Sequence, residues 1–487
     1  MLDLLAGFPW RSLVVRATLD GRDEQSLTLA GDYRYYKDPS AQISRIHPQG
    51  GPLAGGTKLH VYLSDDRLLL DLGGELHGPH CRFQYLAASP SGHRVDLHTT
   101  VIEAELTTCG GSRSCGAGWG SMACAVPAYN GPLNTNGAAD VTVEVTINGQ
   151  DYTQSGRTFR YYDPLSWRLL SFEPLGGPVT GNTSMVISTA LLESLGDVRC
   201  RFGDHPLTTE TNATLDGSSQ LRCTSPAHWE QHGGKQHVEL MVTLNGQDYL
   251  RAGPQARAFT YYDVDNTVFG LSVQRLTPSG GPSAGGTAVQ VMGTGFVDLG
   301  GLLCFFKDQP PVPATLISDT ILSCLSPGTQ LTSSFAPQAV EVTINGQHHA
   351  RTSSSGAQFR YYSDTDLRIS SIFPRGGPAA GGTLVTVRGV GFVDLDHGNG
   401  LKCAFLGPLV PATAAEGSSE SLTCVTPPAT THAYAAPDAY NPESAVAVRL
   451  TLNGNNSAMA DVSAMTSEDG APRFYYHEMY DGTCTAL

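Results

Sequence analysis

The pattern Gly-Gly-Pro-x-x-Gly-x-Thr occurs four times, at Gly50–Thr57, Gly176–Thr183, Gly280–Thr287 and Gly376–Thr383, with spacings of 126, 104 and 96 residues. Such intervals exceed the roughly 20–50 residues of a solenoid repeat and suit separate small domains of about 100 residues. Each copy is followed by the same landmarks in the same order. First comes alternation of period two, as in Thr383-Leu384-Val385-Thr386-Val387-Arg388, with Leu384, Thr386 and Arg388 on one face of a strand and Val385 and Val387 on the other. A Cys-x-Phe follows at Cys81, Cys200, Cys304 and Cys403, then a Cys-x-x-Pro at Cys124, Cys223, Cys324 and Cys424, whose proline is expected to close a strand. Every unit ends in alternating segments around Asn148-Gly149, Asn245-Gly246, Asn345-Gly346 or Asn453-Gly454. Paired tyrosines finish it: Tyr161-Tyr162, Tyr261-Tyr262, Tyr361-Tyr362 and Tyr475-Tyr476. Asn-Gly in that setting predicts a hairpin with a type I′ turn, because both residues tolerate positive φ.

The stretch ahead of the first complete unit repeats only the ending. Val14 to Gly21 followed by Tyr33-Arg34-Tyr35-Tyr36 matches the terminal hairpin, with Asp20-Gly21 as its turn. The chain is therefore expected to open inside a domain whose earlier part lies upstream, and an incomplete hairpin leaves edges able to self-associate. A chain of 487 residues is long enough for several domains. Its 55 glycines and 30 prolines, about 17%, with only 15% charged residues, disfavour long solvated helices, while 40% hydrophobic residues suffice to fill cores. A net charge of −15 offers no basic stripe for phosphates, so nucleic acid is not an expected partner. No window approaches the 18 or so apolar residues of a membrane-spanning helix, so no direct membrane insertion is expected within this chain.

These landmarks, with Gly-x-Gly-Phe at Gly293–Phe296 and Gly389–Phe392, resemble the IPT/TIG domain over almost the whole chain. The second unit departs from the pattern with Gly181-Asn182-Thr183. The first two lack Gly-x-Gly-Phe, and the first carries a long insertion between its cysteines. The resemblance implies an all-β fold of tandem immunoglobulin-like β-sandwiches. Its expected layout is the closing hairpin of an incomplete domain at 1–37, IPT/TIG domains at 40–163, 168–263, 270–363 and 367–477, and a tail at 478–487. The family is found in plexin and growth-factor-receptor ectodomains, in fibrocystin-like ciliary surface proteins and in some transcription factors. The acidic composition argues against the last branch. What it implies here is a non-enzymatic adhesion or recognition array, extracellular, at the cell surface or on the ciliary membrane, with a protein or glycan partner that the loops do not identify. The alternative is an intracellular scaffold of the same domains in the axoneme or cytoplasm.

The 11 cysteines sort by repeat. Cys81 with Cys124, Cys200 with Cys223, Cys304 with Cys324 and Cys403 with Cys424 are the expected disulfides. The last three close loops worth roughly 3 kcal/mol each on loop-closure entropy. The alternative is four pairs of reduced, buried thiols. Cys109 and Cys115 can close a small loop inside the insertion, and Cys484 has no neighbour. Sequons at Asn182, Asn212 and Asn455 are candidate glycosylation sites. His77, His80, His93 and His98 in the insertion match no metal-ligand spacing, Asp65-Asp66 and Asp394-Leu395-Asp396 match no calcium loop, and the Gly-x-Gly-Phe segments open no helix. No catalytic motif converges, so neither an enzyme nor a cofactor is expected. Trp167, between two units, is expected to cover their junction.

Overall fold

The computed structural model describes residues 10–17, 27–36, 42–64, 78–88, 95–107, 121–190, 192–203, 210–228, 236–251, 258–264, 270–330, 335–352, 357–363, 366–405, 409–414, 419–429, 445–454 and 472–477. Their regular structure is almost entirely strand, with one short helical turn at His348–Ala350. The chain divides into two compact units, one of Met1–Glu173, Ser184–Ala227 and Val238–Phe259, the other of Pro174–Thr183, His228–His237 and Thr260–Leu487.

In the first unit, repeat I places Ile43–His47, Lys58–Leu63, Ser121–Ala125 and Glu105–Thr107 in one sheet. Gly50–Pro52, Arg157–Tyr162, Ala138–Thr146, His80–Ala88 and Val95–Glu103 form the other. Alternation drives this: Lys58–Leu63 buries Leu59, Val61 and Leu63, which meet Phe83, Val143 and Phe159 of the second sheet in one core. One stretch of chain belongs to both sheets, since Val95–Glu103 pairs with His80–Ala88 and continues into Glu105–Thr107, which pairs with Ser121–Ala125. Repeat II does the same with Glu210–Asn212 and Thr214–Asp216. In the second unit, Val312–Ser318 of repeat III and Leu409–Ala414 of repeat IV each pair on both sides. Each of these repeats thereby becomes a continuous run of eight strands.

Each Gly-Gly-Pro is a short strand running parallel to the closing strand of its own repeat: Gly50 faces Arg160, Gly176 faces Thr260, Gly280 faces Arg360 and Gly376 faces Tyr475. The last pairing corrects the equivalence of the tyrosine pairs. In repeats I to III the second glycine faces the first tyrosine, whereas in repeat IV it faces Tyr476, the second. The recurring feature is Phe-x-Tyr. Tyr161, Tyr361 and Tyr476 each pack edge-on against the phenylalanine two residues earlier and donate to the carbonyl of Pro127, Pro327 or Pro427 in the Cys-x-x-Pro loop, at 2.7, 3.0 and 3.0 Å. Tyr475 takes the outward place of Arg160 and is 44% exposed.

The expected type I′ turn does not form. In repeat I, residues 147–156 connect the closing strands, and Gly149 has φ of 77° while Asn148 keeps a negative φ. The asparagine shapes the loop with its side chain instead: Oδ1 accepts the N–H groups of Gln150 at 3.0 Å and Asp151 at 2.9 Å. The early hairpin is a two-stranded antiparallel sheet, Trp10–Ala17 with Leu27–Tyr36, and no third strand joins it among the described residues. Its Asp20-Gly21 turn lies outside them.

Candidate functional site

The same set of contacts recurs wherever one repeat meets the next. Between repeats I and II, within the first unit, Asn245 Nδ2 donates to the carbonyl of Gly50 at 3.0 Å and the Gln49 N–H donates to the carbonyl of Leu195 at 2.7 Å. Within the second unit, Asn345 reaches the Gly176 carbonyl at 3.1 Å and Asn453 the Gly280 carbonyl at 3.2 Å. Leu175 and Ser279 donate to the carbonyls of Leu299 and Leu395. Each leucine lies on the glycine whose carbonyl is held. A Cβ on Gly50, Gly176 or Gly280 would stand 2.9, 2.6 or 2.7 Å from a methyl of Leu195, Leu299 or Leu395, so any larger residue would push the neighbouring repeat away. All three asparagines are buried, at 4% exposure or less.

The first junction is the most polar. Asp248 Oδ2 accepts from Asn245 Nδ2 at 2.7 Å and from Thr57 Oγ1 at 2.6 Å, while the Gln247 side chain accepts from Lys58 N–H and donates to Lys58 C=O, both at 2.9 Å. Beside it lies a cleft of about 400 Å³ whose lining includes Arg45, Gln49, Asp140, Arg157, Arg160 and Glu193. Arg160 holds Asp140 through two nitrogens, at 2.8 and 2.9 Å, and also pairs with Glu193. The guanidinium hydrogen bond keeps the Asp140 carboxyl below its ordinary pKa. His60 is likewise held below its usual value by burial, with Lys58 and His47 adding repulsion.

The structure pairs Cys81 with Cys124, Cys200 with Cys223, Cys304 with Cys324 and Cys403 with Cys424, at sequence separations of 43, 23, 20 and 21. All eight are buried at 5% exposure or less. Asn182 and Asn212 are exposed. Asn182 occupies the fourth glycine position with φ of 64°, where Gly56, Gly286 and Gly382 face open space, which is why a side chain fits there. Asn455, Cys109, Cys115, Cys484, His77, His93, Asp65 and Asp66 lie outside the described residues.

The two described histidines of the insertion do not come together: His80 sits 2.6 Å from the carbonyl of Gly78, and His98 stacks on Tyr85. Asp394 is occupied by backbone N–H groups of Asp396 and Gly400, both at 3.0 Å, and of Gly398. Burial, reinforced by Asp394, raises the pKa of Asp396. No three His, Cys, Asp or Glu side chains converge among the described residues, and none of their helices is long and apolar enough to cross a membrane. Phe296 and Phe392 fold back over Gly293 and Gly389, so Gly-x-Gly-Phe is a bend closed by a buried ring. Trp167 is buried, stacks on Tyr162 at 5.0 Å and donates to the carbonyl of Asn136 at 2.8 Å.

Sequence reasoning missed the asparagine and leucine contacts between repeats, whose partners lie more than 100 residues apart. It also missed the exposed face of the hairpin His80–Ala88 with Val95–Glu103, where Leu86 is 65%, Leu97 59% and Val101 46% exposed.

Residues 271–361 and 367–463 match the IPT/TIG domain. Repeats III and IV thus carry the match to the IPT/TIG family. The described repeats are all-β and immunoglobulin-like in fold, and the two matched ones fall in a non-catalytic domain family. Over 123 residues, 25% of the chain, it is 32% identical to human fibrocystin-L, and over 225 residues, 46% of the chain, 28% identical to mouse fibrocystin-L. Those stretches span 3% and 4% of these curated relatives. Among solved structures, the full extracellular region of plexin A4 aligns at 14% identity with a TM-score of 0.37, covering 94% of this chain and 39% of that one. The protocadherin γB4 extracellular domain aligns at 12% identity and a TM-score of 0.14, covering 91% and 68%.

Proposed function

We propose that this IPT/TIG chain is a stretch of a non-enzymatic, extracellular or cell-surface array that holds recognition surfaces in series. The observation that carries the reading is the cystine in each repeat. Four buried pairs, at equivalent landmarks and bridging strands that are not paired with each other, are a pattern that oxidising compartments sustain and the cytosol does not. The similarity to fibrocystin-L supports the same direction. The junction cleft with its arginines and carboxylates, and the exposed hairpin of repeat I, are the surfaces we assign to a protein or glycan ligand. The ciliary membrane is the finer location we propose, and immunolocalisation of the source protein tests it.

Peptide mapping of non-reduced protein from its source tests the compartment. Each cysteine is expected to be linked to its partner within the same repeat. Free thiols at all eight positions would return the chain to the intracellular scaffold.

A further inference from the structure

The three asparagines that hold the junctions are each followed by glycine: Asn245-Gly246, Asn345-Gly346 and Asn453-Gly454. Asn-Gly is the pair in which an asparagine amide is most readily lost to its own backbone, because glycine has no Cβ to keep its nitrogen away from the preceding Cγ. In that reaction the glycine nitrogen attacks Cγ, the Cγ–Nδ2 bond breaks and ammonia leaves. Water then opens the succinimide ring to aspartate or isoaspartate. No oxidant, metal or enzyme takes part.

A closed junction holds the reacting groups still. Ring closure requires the Asn245 side chain to swing Cγ toward the Gly246 nitrogen, yet Oδ1 accepts from Thr243 Oγ1 and from the N–H groups of Gln247 and Asp248 at 3.1, 3.0 and 2.9 Å. Nδ2 donates to the Gly50 carbonyl at 3.0 Å and to Asp248 Oδ2 at 2.7 Å, and the residue is 1% exposed. Neither the swing nor the water that completes the reaction has room. Asn345 is held in the same way by Thr343, Gln347 and Gly176, and Asn453 by Thr451 and Gly280. At Asn453 the attacking nitrogen is engaged as well, since the Gly454 N–H donates to the carbonyl of Gly400 at 2.8 Å. The bonds to Gly50, Gly176 and Gly280 come from the preceding repeat, so an opening junction loses them first.

The product cannot remake the contact. A carboxylate at position 245 keeps acceptor oxygens for Thr243, Gln247 and Asp248, so the loop retains its shape. It has no N–H for Gly50, and it would stand against both that carbonyl and the Asp248 carboxylate as a buried charge without a partner. At the second junction His348 takes the place of Asp248, so the repulsion there is smaller.

We propose that Asn245, Asn345 and Asn453 are latent deamidation sites: modification waits on the opening of a junction and then prevents it from closing again. Each junction is thereby a one-way latch. The reaction needs no cellular machinery, so the latch is independent of the compartment assigned above.

Peptide mapping of the full chain for aspartate and isoaspartate, after incubation in mildly alkaline buffer, tests the first half. All three asparagines are expected to convert at least about tenfold more slowly in the folded protein than in the same chain kept unfolded by denaturant. Gln247→Ala removes an exposed side chain that grips Lys58 and leaves the Asn-Gly pair with its loop bonds. It is expected to raise conversion several-fold at Asn245 and not at Asn345 or Asn453. Equal rates in the folded and unfolded chain, no effect of Gln247→Ala at Asn245, or an effect at all three sites would overturn the proposal. Hydrogen exchange tests the second half, because the N–H groups of Gln49 and Leu175 cross the first two junctions to the carbonyls of Leu195 and Leu299, at 2.7 and 2.6 Å. Asn245→Asp is expected to strip protection from Gln49 while Leu175 and the strand amides of repeat II stay as in wild type. Unchanged protection at Gln49, or a loss throughout repeat II, would overturn it.

Discussion

Asn245 and Asn148 share a local sequence and differ in what their amides meet, which separates a loop-building role from a junction role. Replacing Asn245 by alanine removes the turn-forming oxygen and also strands the buried carbonyl of Gly50. An unmade bond to a buried acceptor costs roughly 1–3 kcal/mol. Asn148→Ala removes the same local bonds where water can replace them. Denaturant unfolding is therefore expected to show the larger loss for Asn245→Ala, and equal losses would refute the junction role. Asp140 gives a second residue-level test. Its pKa is lowered in the folded protein, so its contribution is present above the ordinary carboxylate range near 3.9 and lost as pH falls below it. Its side chain is about half exposed, which keeps the effect modest. Asp140→Asn is expected to flatten the decline in stability between pH 5 and 3, and a slope identical to wild type would contradict that. Sequence could identify Asn-Gly as a turn, since that depends on neighbours in the chain. It could not identify the partner of Asn245, because Gly50 is 195 residues away and a backbone carbonyl leaves no mark on residue type.

Strands were legible wherever burial is one-sided: the alternation of Leu384 to Arg388 is repeated in the exposure of Leu384–Val390, with Val385 and Val387 buried. Membership of a sheet was not. Val312–Ser318 and Leu409–Ala414 change partners midway, and a period of two reads the same on either side of such a crossing. The type I′ expectation failed for a related reason, since the side chain of Asn148 supplies the turn bonds that a positive φ would otherwise have provided. At repeat I the crossing strand is lengthened into the hairpin that displays Leu86 and Leu97, which face each other across the pair. Neither supports the core, so Leu86→Ser with Leu97→Ser is expected to leave the thermal midpoint within about 1–2 °C while raising the concentration at which the protein precipitates. A drop of several degrees would show that the hairpin is covered in the folded chain.

For the whole molecule, the disulfides and the parallel Gly-Gly-Pro pairing have a joint consequence under tension. The Gly-Gly-Pro strand near the start of a repeat and its closing strand lie side by side and parallel, so a pull on the chain from both ends loads their hydrogen bonds together in shear rather than opening them one at a time. Once that pair yields, the cystine caps how far the repeat can lengthen, because the residues between its cysteines carry no load. At about 3.5 Å per extended residue, the withheld length is about 70–80 Å in repeats II, III and IV and about 150 Å in repeat I. Single-molecule stretching before and after reduction is expected to show contour-length steps that grow by those amounts, and steps indifferent to reductant would disprove it. A strand of these repeats would then behave as a tether whose give is fixed in advance, with a longer reserve in one link than in the other three.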